Sequence, residues 1–407
     1  MRNKDVEKYI EAHLMECTRV NYNDEDTLIG LPYPYSVPCP DHFQELYYWD
    51  TYFINLGLIE KGHLEQALNN VNDFFFLIEK YGFVPNASRT YYLDRSQPPF
   101  LSMMVKDIFD RTRDLEWLNH ALTMLCREHS FWMTKRMTSC GLNQYGSEIP
   151  ESTWNKRFQI MQNRTGQTLP EENKHAIART SHANVESGWD CTPRFEFDAE
   201  NYVQVDLNSL LYLQEKNIAF FASQLGHSTV AKEFQKLAEN RRELMNRLLW
   251  CEEKGAYMDW NFGKGHFSPV LSGAGFFPIF AGASDRVRAE RTAETLLNLE
   301  YPHGISACEK NSISGRYQWS YPNAWAPVQY IAVRALQAIG KHADAKRIAE
   351  KYISTVDDCF EKTGRLWEKY NAVDGSINVI SEKTEQMPVM LGWTAGVYIW
   401  FRTYMMD

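Results

Sequence analysis

Residues 46 to 85 read "LYYWDTYFINLGLIEKGHLEQALNNVNDFFFLIEKYGFVP". Leu46, Trp49, Phe53 and Leu56 recur at helical spacing, and Leu64, Leu68, Val71, Phe75 and Ile78 repeat the pattern until Gly82 and Pro85 end it. The spacing predicts two helices back to back. The arrangement returns from Asp206, where Leu207, Leu211, Ile218, Phe221 and Leu225 lead to Gly226 and the next segment carries Val230, Phe234, Leu237, Leu244 and Leu248. A third pair runs from Pro322 through Val328, Ile331, Ala335 and Ile339 to Gly340, then from Lys341 to about Phe360. Further helices are expected near 4–16, 98–111, 114–137, 284–298 and 392–405, whereas period-two alternation is nearly absent. The chain is therefore expected to be all-α, a single domain over 1–407 built of helical hairpins. Periodicity alone does not separate a closed toroid from an open solenoid. The long connections at 82–97, 138–203 and 363–391 are the expected seats of function.

The chain has 407 residues and a net charge of −9, with acidic and basic residues interspersed. It lacks the basic stripe that phosphate backbones require, so nucleic acid is not an expected partner, and a neutral or cationic one fits the overall charge better. Aromatic residues make up 14%, with 12 Trp and 22 Tyr, enough to serve both a core and the apolar C–H faces of sugars. Cysteines at 17, 39, 126, 140, 191, 251, 308 and 359 form no CxxC or Cys/His cluster of metal spacing. They read as reduced thiols of a cytosolic protein. The opening "MRNKDVEKYIEAHLMECTRV" is amphipathic and charged, without the apolar stretch of a signal peptide, and no later run has membrane-spanning length. A cytoplasmic location without membrane association is the expectation.

Several segments hold side chains suited to chemistry. In "FQELYYWDTYF" (43–53), Trp49 reads first as a core aromatic, with Asp50 at the edge of the buried stripe, and in the functional reading as a platform for a sugar ring. "FVPNASRTYYLDRSQPPF" (83–100) enters a helix with Ser96 or Gln97 near the N-cap and Pro98 or Pro99 in the first turn. It also gathers Asn86, Arg89 and Arg95, donors suited to gripping hydroxyl groups or, alternatively, tied to loop carbonyls and Asp94. "GSEIPESTW" (146–154) brings Glu148 and Glu151 to a helix start, where capping electrostatics alone would also put them.

In "VESGWDCTPRF" (185–195), Gly188 lets the backbone approach a ligand and Trp189 can desolvate its neighbour. Asp190 then holds a raised pKa as a proton donor, unless it is simply paired with Arg194. The stretch from 366 to 397 offers Glu368, Glu382 and Glu385, any of which could stand opposite Asp190 as a base. "YQWSYPNAWAPVQ" (317–329) adds two tryptophans and an asparagine ahead of a Pro-initiated helix. The chain has no GxSxG, HExxH or Walker A motif, and no GxGxxG between a strand and a helix. Carboxylate chemistry is favoured over serine, zinc and nucleotide chemistry.

"FQELYYWDTYF", "PNASRTYYLDRSQPP", "ESGWDCTPR", "YQWSYPNAWAPVQ" and "GWTAGV", in that order between about residues 32 and 400, resemble the trehalase family of glycoside hydrolases. The resemblance implies a single (α/α)6 toroid and hydrolysis of an α-glucosidic bond with inversion, without metal or cofactor. It puts Asp190 at the acid position. Counting back from Gly392, the base position falls near Thr384, where the family's Gly-rich run is replaced by "INVISEKTEQMPVML"; a one-residue gap brings Glu385 there, with Glu382 second. By the same matching, Phe43, Trp49, Asn86, Arg95, Glu151, Gly188 and Trp319 fall at sugar-contacting positions. His42 and Ile149 stand where the family carries arginines, and Ser320 where it carries an aspartate. Such losses remove charge-assisted bonds worth about 1.5–3 kcal/mol each. The expected substrate is trehalose or another small oligosaccharide or α-glucoside. A glucosyl- or mannosyl-conjugated small molecule, or a sugar-binding protein without catalysis, is the alternative.

Overall fold

The structure is a computed structural model that describes residues 2–146, 148–312, 315–381 and 387–406, side chains from residue 5 onward. In chain order its helices are α1 (Arg2–His13), α2 (Tyr48–Glu60), α3 (Leu64–Tyr81), α4 (Leu101–Thr112), α5 (Leu115–Lys135), α6 (Glu151–Thr165), α7 (Lys174–Glu186), α8 (Val205–Gln224), α9 (Ser228–Leu248), α10 (Phe277–Phe280), α11 (Arg286–Leu296), α12 (Ala326–Ala338), α13 (His342–Thr363) and α14 (Gly392–Met406). The strands described are only two or three residues long and pair as small antiparallel ribbons in the loops.

Helix α2 touches α4, α4 touches α8, and contacts continue through α10, α12 and α14 back to α2. The chain thus closes on itself. An inner ring of six helices results, with α1, α3, α5, α9, α11 and α13 outside it. This is the (α/α)6 toroid, and closure answers the question periodicity left open. The inner helices α2, α8 and α12 are buried nearly all round, every residue of α2 from Tyr48 to Leu58 being inside, so the single stripe read from the sequence was too narrow. The outer helices α3, α9 and α13 bury one face, as their 3.6-residue pattern requires. One apolar core runs from Val6 to Phe401.

Ring closure depends on small residues. A Cβ at Gly57 would lie 2.9 Å from the Gly396 Cα, and one at Gly396 would lie 1.8 Å from the Phe53 carbonyl oxygen. The α2 and α14 backbones are in direct contact, which brings the beginning and the end of the ring together at Trp49 and Trp393.

The connection 138–203 is not the loop that the sequence suggested. It contains α6 and α7, which pack on each other over a separate cluster of Phe158, Met161, Leu169 and Ile177. Few residues of α6 are buried, and α7 buries Thr180, Ser181, His182, Asn184 and Glu186 in among Ile177, Ala178, Ala183 and Val185. Neither presents the periodicity by which a helix is read. Pro98 and Pro99 also precede α4 rather than opening it, since its first residue is Leu101. The segment 322–325 forms a turn and the strand Asn323–Trp325 before α12 begins.

Gly396→Ala is expected to lower stability by about 3 kcal/mol, because backbone must move to admit the methyl group. Thermal unfolding measures this, and an unchanged melting temperature would show that the α2–α14 contact is not what closes the ring.

Candidate active site

The N-terminal ends of α2, α12 and α14 meet at one end of the ring, and the side chains just before and within their first turns enclose a pocket. Its volume is about 100 Å3. Trp319 stacks on Trp325 with ring centroids 3.9 Å apart and planes 4° off parallel, and Trp393 meets both edge-on. Trp49 lies 5.6 Å from Trp319. These rings make rigid apolar walls, with Phe43 and Tyr47 at the rim. Gln97, read as a candidate cap for the helix that follows it, instead accepts the Trp49 backbone N–H at 3.1 Å and so caps α2.

Three carboxyl groups point into this aromatic enclosure: Asp50, Asp190 and Glu368. Burial pushes Asp50 up to about 8, and the nearby Glu368 and Asp190 charges add to the rise. Asp50 is therefore a neutral acid below that pH, able to donate to a hydroxyl. Glu368 pairs with the buried Lys369 ammonium, which also sits 4.5 Å over the Trp325 ring. The antiparallel ribbon of Asn323–Trp325 with Lys369–Asn371 sets Trp325 against Lys369.

Asp190 keeps 37% of its side chain open to the cleft, with protein packed around the rest. That burial raises its pKa, while Arg164, with Nη2 3.6 Å from Oδ2, and Arg95 pull it down and Glu368 pushes it further up; the net direction is upward. Arg194 is not its partner. That guanidinium is wholly buried, spans Asp206 and Asp259 with hydrogen bonds of 2.7–3.1 Å, and lies 4.6 Å from the Trp189 ring. The loop on both sides of Asp190 is thereby fixed. Gly188 has φ +71°, and a Cβ there would lie 2.6 Å from Trp49 Cε2, so glycine is required for both reasons.

Upstream, Glu186 accepts from the Ser96 and Gly146 N–H groups and from two nitrogens of Arg136. Burial alone would raise its pKa, but Arg136 and these donors hold it at about 2. Of the two carboxylates in "VESGWDCTPRF", Glu186 is a structural anion and Asp190 is the one presented to the cleft.

The sugar-contacting residues expected from the sequence divide into groups. Phe43, Trp49, Gly188 and Trp319 line the pocket with Asp190. Asn86 and Arg95 line a second, larger cleft of about 530 Å3, which shares Asp190, Tyr47 and Gln97 with the first. His42 and Glu151 are exposed and line neither cavity. Glu385 and Glu382 lie outside the described residues. The reading from sequence did not single out Asp50, Gln97, Trp325 and Trp393 as site residues, although each lies in a quoted motif. It also missed the α6 side chains Arg157 and Arg164, whose seven-residue spacing was a signal once a helix was granted there.

The trehalase family profile matches residues 3–405. A periplasmic trehalase of Xanthomonas oryzae pv. oryzae is 31% identical, covering 91% of this chain and 68% of its own length. One of Escherichia coli is 30% identical, covering 97% and 73%. Among solved structures, the neutral trehalase of Saccharomyces cerevisiae is similar at 27% identity and TM-score 0.76, covering 98% of this chain and 79% of that one. A mannosylglycerate hydrolase from Thermus thermophilus shares the fold at 17% identity and TM-score 0.68, covering 98% of this chain and 99% of that one.

The cytoplasmic expectation does not survive these names, since both bacterial relatives are periplasmic trehalases. Most of the cysteines on which it rested are buried. Buried structural thiols are inert in either compartment and carry no information about location. No described helix is long and apolar enough to cross a membrane. From the closed helical ring, the carboxyl groups in a tryptophan-walled pocket and the family match over nearly its whole length, the chain belongs to the trehalase family of glycoside hydrolases.

Proposed function

We propose that the protein is a periplasmic inverting hydrolase of trehalose or another small α-glucoside, with Asp190 as general acid and Glu385 as general base. The observation that carries this reading is the position of Asp190 where the closed aromatic pocket meets the wider polar cleft. A glycosidic oxygen lies at such a junction when one ring fills the pocket and the leaving group occupies the cleft. An acid there must hold its proton at the working pH, and burial works in that direction at Asp190. Asp190 then protonates the leaving oxygen while the base deprotonates a water on the opposite face of the ring, which requires roughly 6.5–9.5 Å between the two carboxyl groups. Glu385 is preferred as base on the resemblance. Glu368, paired with Lys369, is suited to accepting hydrogen bonds from hydroxyl groups.

Three outcomes follow from these roles. Asp190→Asn should lower kcat on a natural glucoside by about 1,000-fold yet lose far less on α-glucosyl fluoride, whose leaving group needs no proton; Glu385→Gln should lose activity on both. Equal losses for Asp190→Asn on both substrates would remove it as the acid. Each turnover of trehalose should release one β-glucose, from the attacked ring, and one α-glucose, from the leaving ring, in equal amounts by NMR, and α-glucose alone would exclude inversion. The rate kcat/KM should fall on the alkaline side as Asp190 loses its proton. Because Arg164 favours the ionised form, Arg164→Met should move that limb to higher pH, and a limb that stays in place would detach it from Asp190.

A further inference from the structure

Among the buried acids outside the pocket, Glu128 on α5 has no exposed surface. Its Oε1 accepts the hydrogen bond of the Tyr48 hydroxyl, and its Oε2 lies 2.7 Å from Nε2 of Gln214. Tyr48 opens α2 and Gln214 belongs to α8, so one side chain of the outer ring touches two helices of the inner ring. The Tyr48 hydroxyl in turn accepts the Leu101 N–H at 3.1 Å, satisfying one of the free N-terminal donors of α4. The next two residues of α2 are Trp49 and Asp50, both in the pocket wall. The first turns of α2 and α4 are thus fastened to α5 and α8 through this carboxyl group.

Glu186 and Glu215, also buried, are bonded to guanidinium groups, those of Arg136 and Arg241. Glu128 is bonded to two uncharged groups instead. The elements packed around it supply Tyr48 from α2, the Leu101 N–H from α4 and Gln214 from α8. Charged neighbours are engaged elsewhere: His129 and Arg241 lie on Glu215, Asp73 of α3 accepts the Tyr33 N–H, and Arg127 is exposed. Burial lifts Glu128 to about 8, and the bonds from Tyr48 and Gln214 oppose that rise without cancelling it. Burial likewise keeps the Tyr48 hydroxyl in its neutral, donating form. An ionised carboxylate is costly in such surroundings, whereas a carboxylic acid fits them. Its Oε1 accepts from Tyr48 and its Oε2–H donates to the Gln214 amide, whose oxygen and nitrogen have the same shape and exchange by a half-turn.

We propose that Glu128 is a positioning residue of the pocket: as an un-ionised carboxylic acid it ties the first turns of α2 and α4 to α8 through Tyr48 and Gln214. It does not line the pocket and acts through Tyr48 on Trp49 and Asp50. The proposal holds whichever glycosidic bond the site cleaves and whichever glutamate is the base. It carries a pH dependence of definite sign. In the unfolded chain the carboxyl ionises near the ordinary 4.5, in the folded one near 8. Stability is therefore lost as pH rises between these two values, because ionisation there favours the unfolded chain, and the loss is complete once the folded form ionises as well.

Glutamine reproduces the carboxylic acid and not the carboxylate, so Glu128→Gln separates the two. Urea unfolding of the wild type and of Glu128→Gln is followed across the range from 4.5 to 8 and beyond it on both sides. The folded-to-unfolded ratio of the variant should gain on that of the wild type by close to roughly tenfold per pH unit in the middle of that range, then level off. Comparing the two proteins cancels Asp50 and Asp73, which burial lifts into the same range. Parallel profiles would overturn the assignment of the proton. For the positioning role, near-UV circular dichroism at about pH 6, where the wild-type carboxyl still holds its proton, reads the packing of the tryptophans, and far-UV circular dichroism controls for folding. Glu128→Met should change the near-UV spectrum, whereas Glu128→Gln should keep that of the wild type. Should Glu128→Met fail to fold, Tyr48→Phe, which removes a single hydroxyl, should change the spectrum in the same way. A wild-type near-UV spectrum in folded Glu128→Met or in Tyr48→Phe would overturn the positioning role.

Discussion

The contact between Gly57 and Gly396 is the constraint on which the rest of the site depends. Backbone meets backbone there, with the Phe53 carbonyl lying where any side chain at position 396 would have to go. An (α/α)6 ring differs from an open solenoid only in whether its last helix finds its first. Once α14 lies against α2, the helix ends carrying Trp49, Asp50 and Trp393 come together, and the loops ahead of α12 and α14 can add Trp319, Trp325 and Glu368 to a single enclosure. Moving α14 outward by the width of a methyl group would separate two of the walls.

Buried charge performs a second task, that of holding the loop that carries Asp190. Glu186 on one side is satisfied by Arg136 and two backbone N–H groups, and Arg194 on the other is satisfied by Asp206 and Asp259. Buried pairs of this type contribute little net stability, because desolvation opposes the Coulomb attraction, but removing one partner strands the other at a cost of about 3–5 kcal/mol. Their value here is geometric. Between two anchored points, Gly188 turns the chain against the Trp49 ring and leaves Asp190 only one direction, into the cleft. Phe43 and Cys191, at φ 56° each, show that the backbone at this end of the ring accepts strained conformations, as is common where geometry serves function.

Legibility followed the kind of side chain being buried. Outer helices such as α3 and α13 were readable because a leucine- and phenylalanine-rich face alternates with a polar one. Helix α7 was not, because it buries histidine, serine, threonine and asparagine, and α6 was not, because it buries little and directs arginines inward. Both are parts of the chain that line the larger cleft beside Asp190. At the residue level the sequence reading reached Phe43, Trp49, Gly188, Trp319 and Asp190, which share the pocket, and Asn86 and Arg95, which line the adjoining cleft. It also included His42 and Glu151, which face solvent. Residue-by-residue matching carries a position across, whereas the direction of the side chain depends on a loop that differs between relatives.

By itself, the sequence determined that the chain is helical, that the helices come in hairpins, and which segments hold the chemistry; local spacing and turn residues encode these things, and five motifs in order identify the family. Tertiary structure alone decided that the ring closes, since closure is a contact between residues 57 and 396 that no local pattern records. It also decided which acidic residues face the pocket. A carboxylate's proton affinity depends on the water it has lost and on charges brought near it from distant parts of the chain. Asp190 meets Arg164 and Glu368 only in the folded protein.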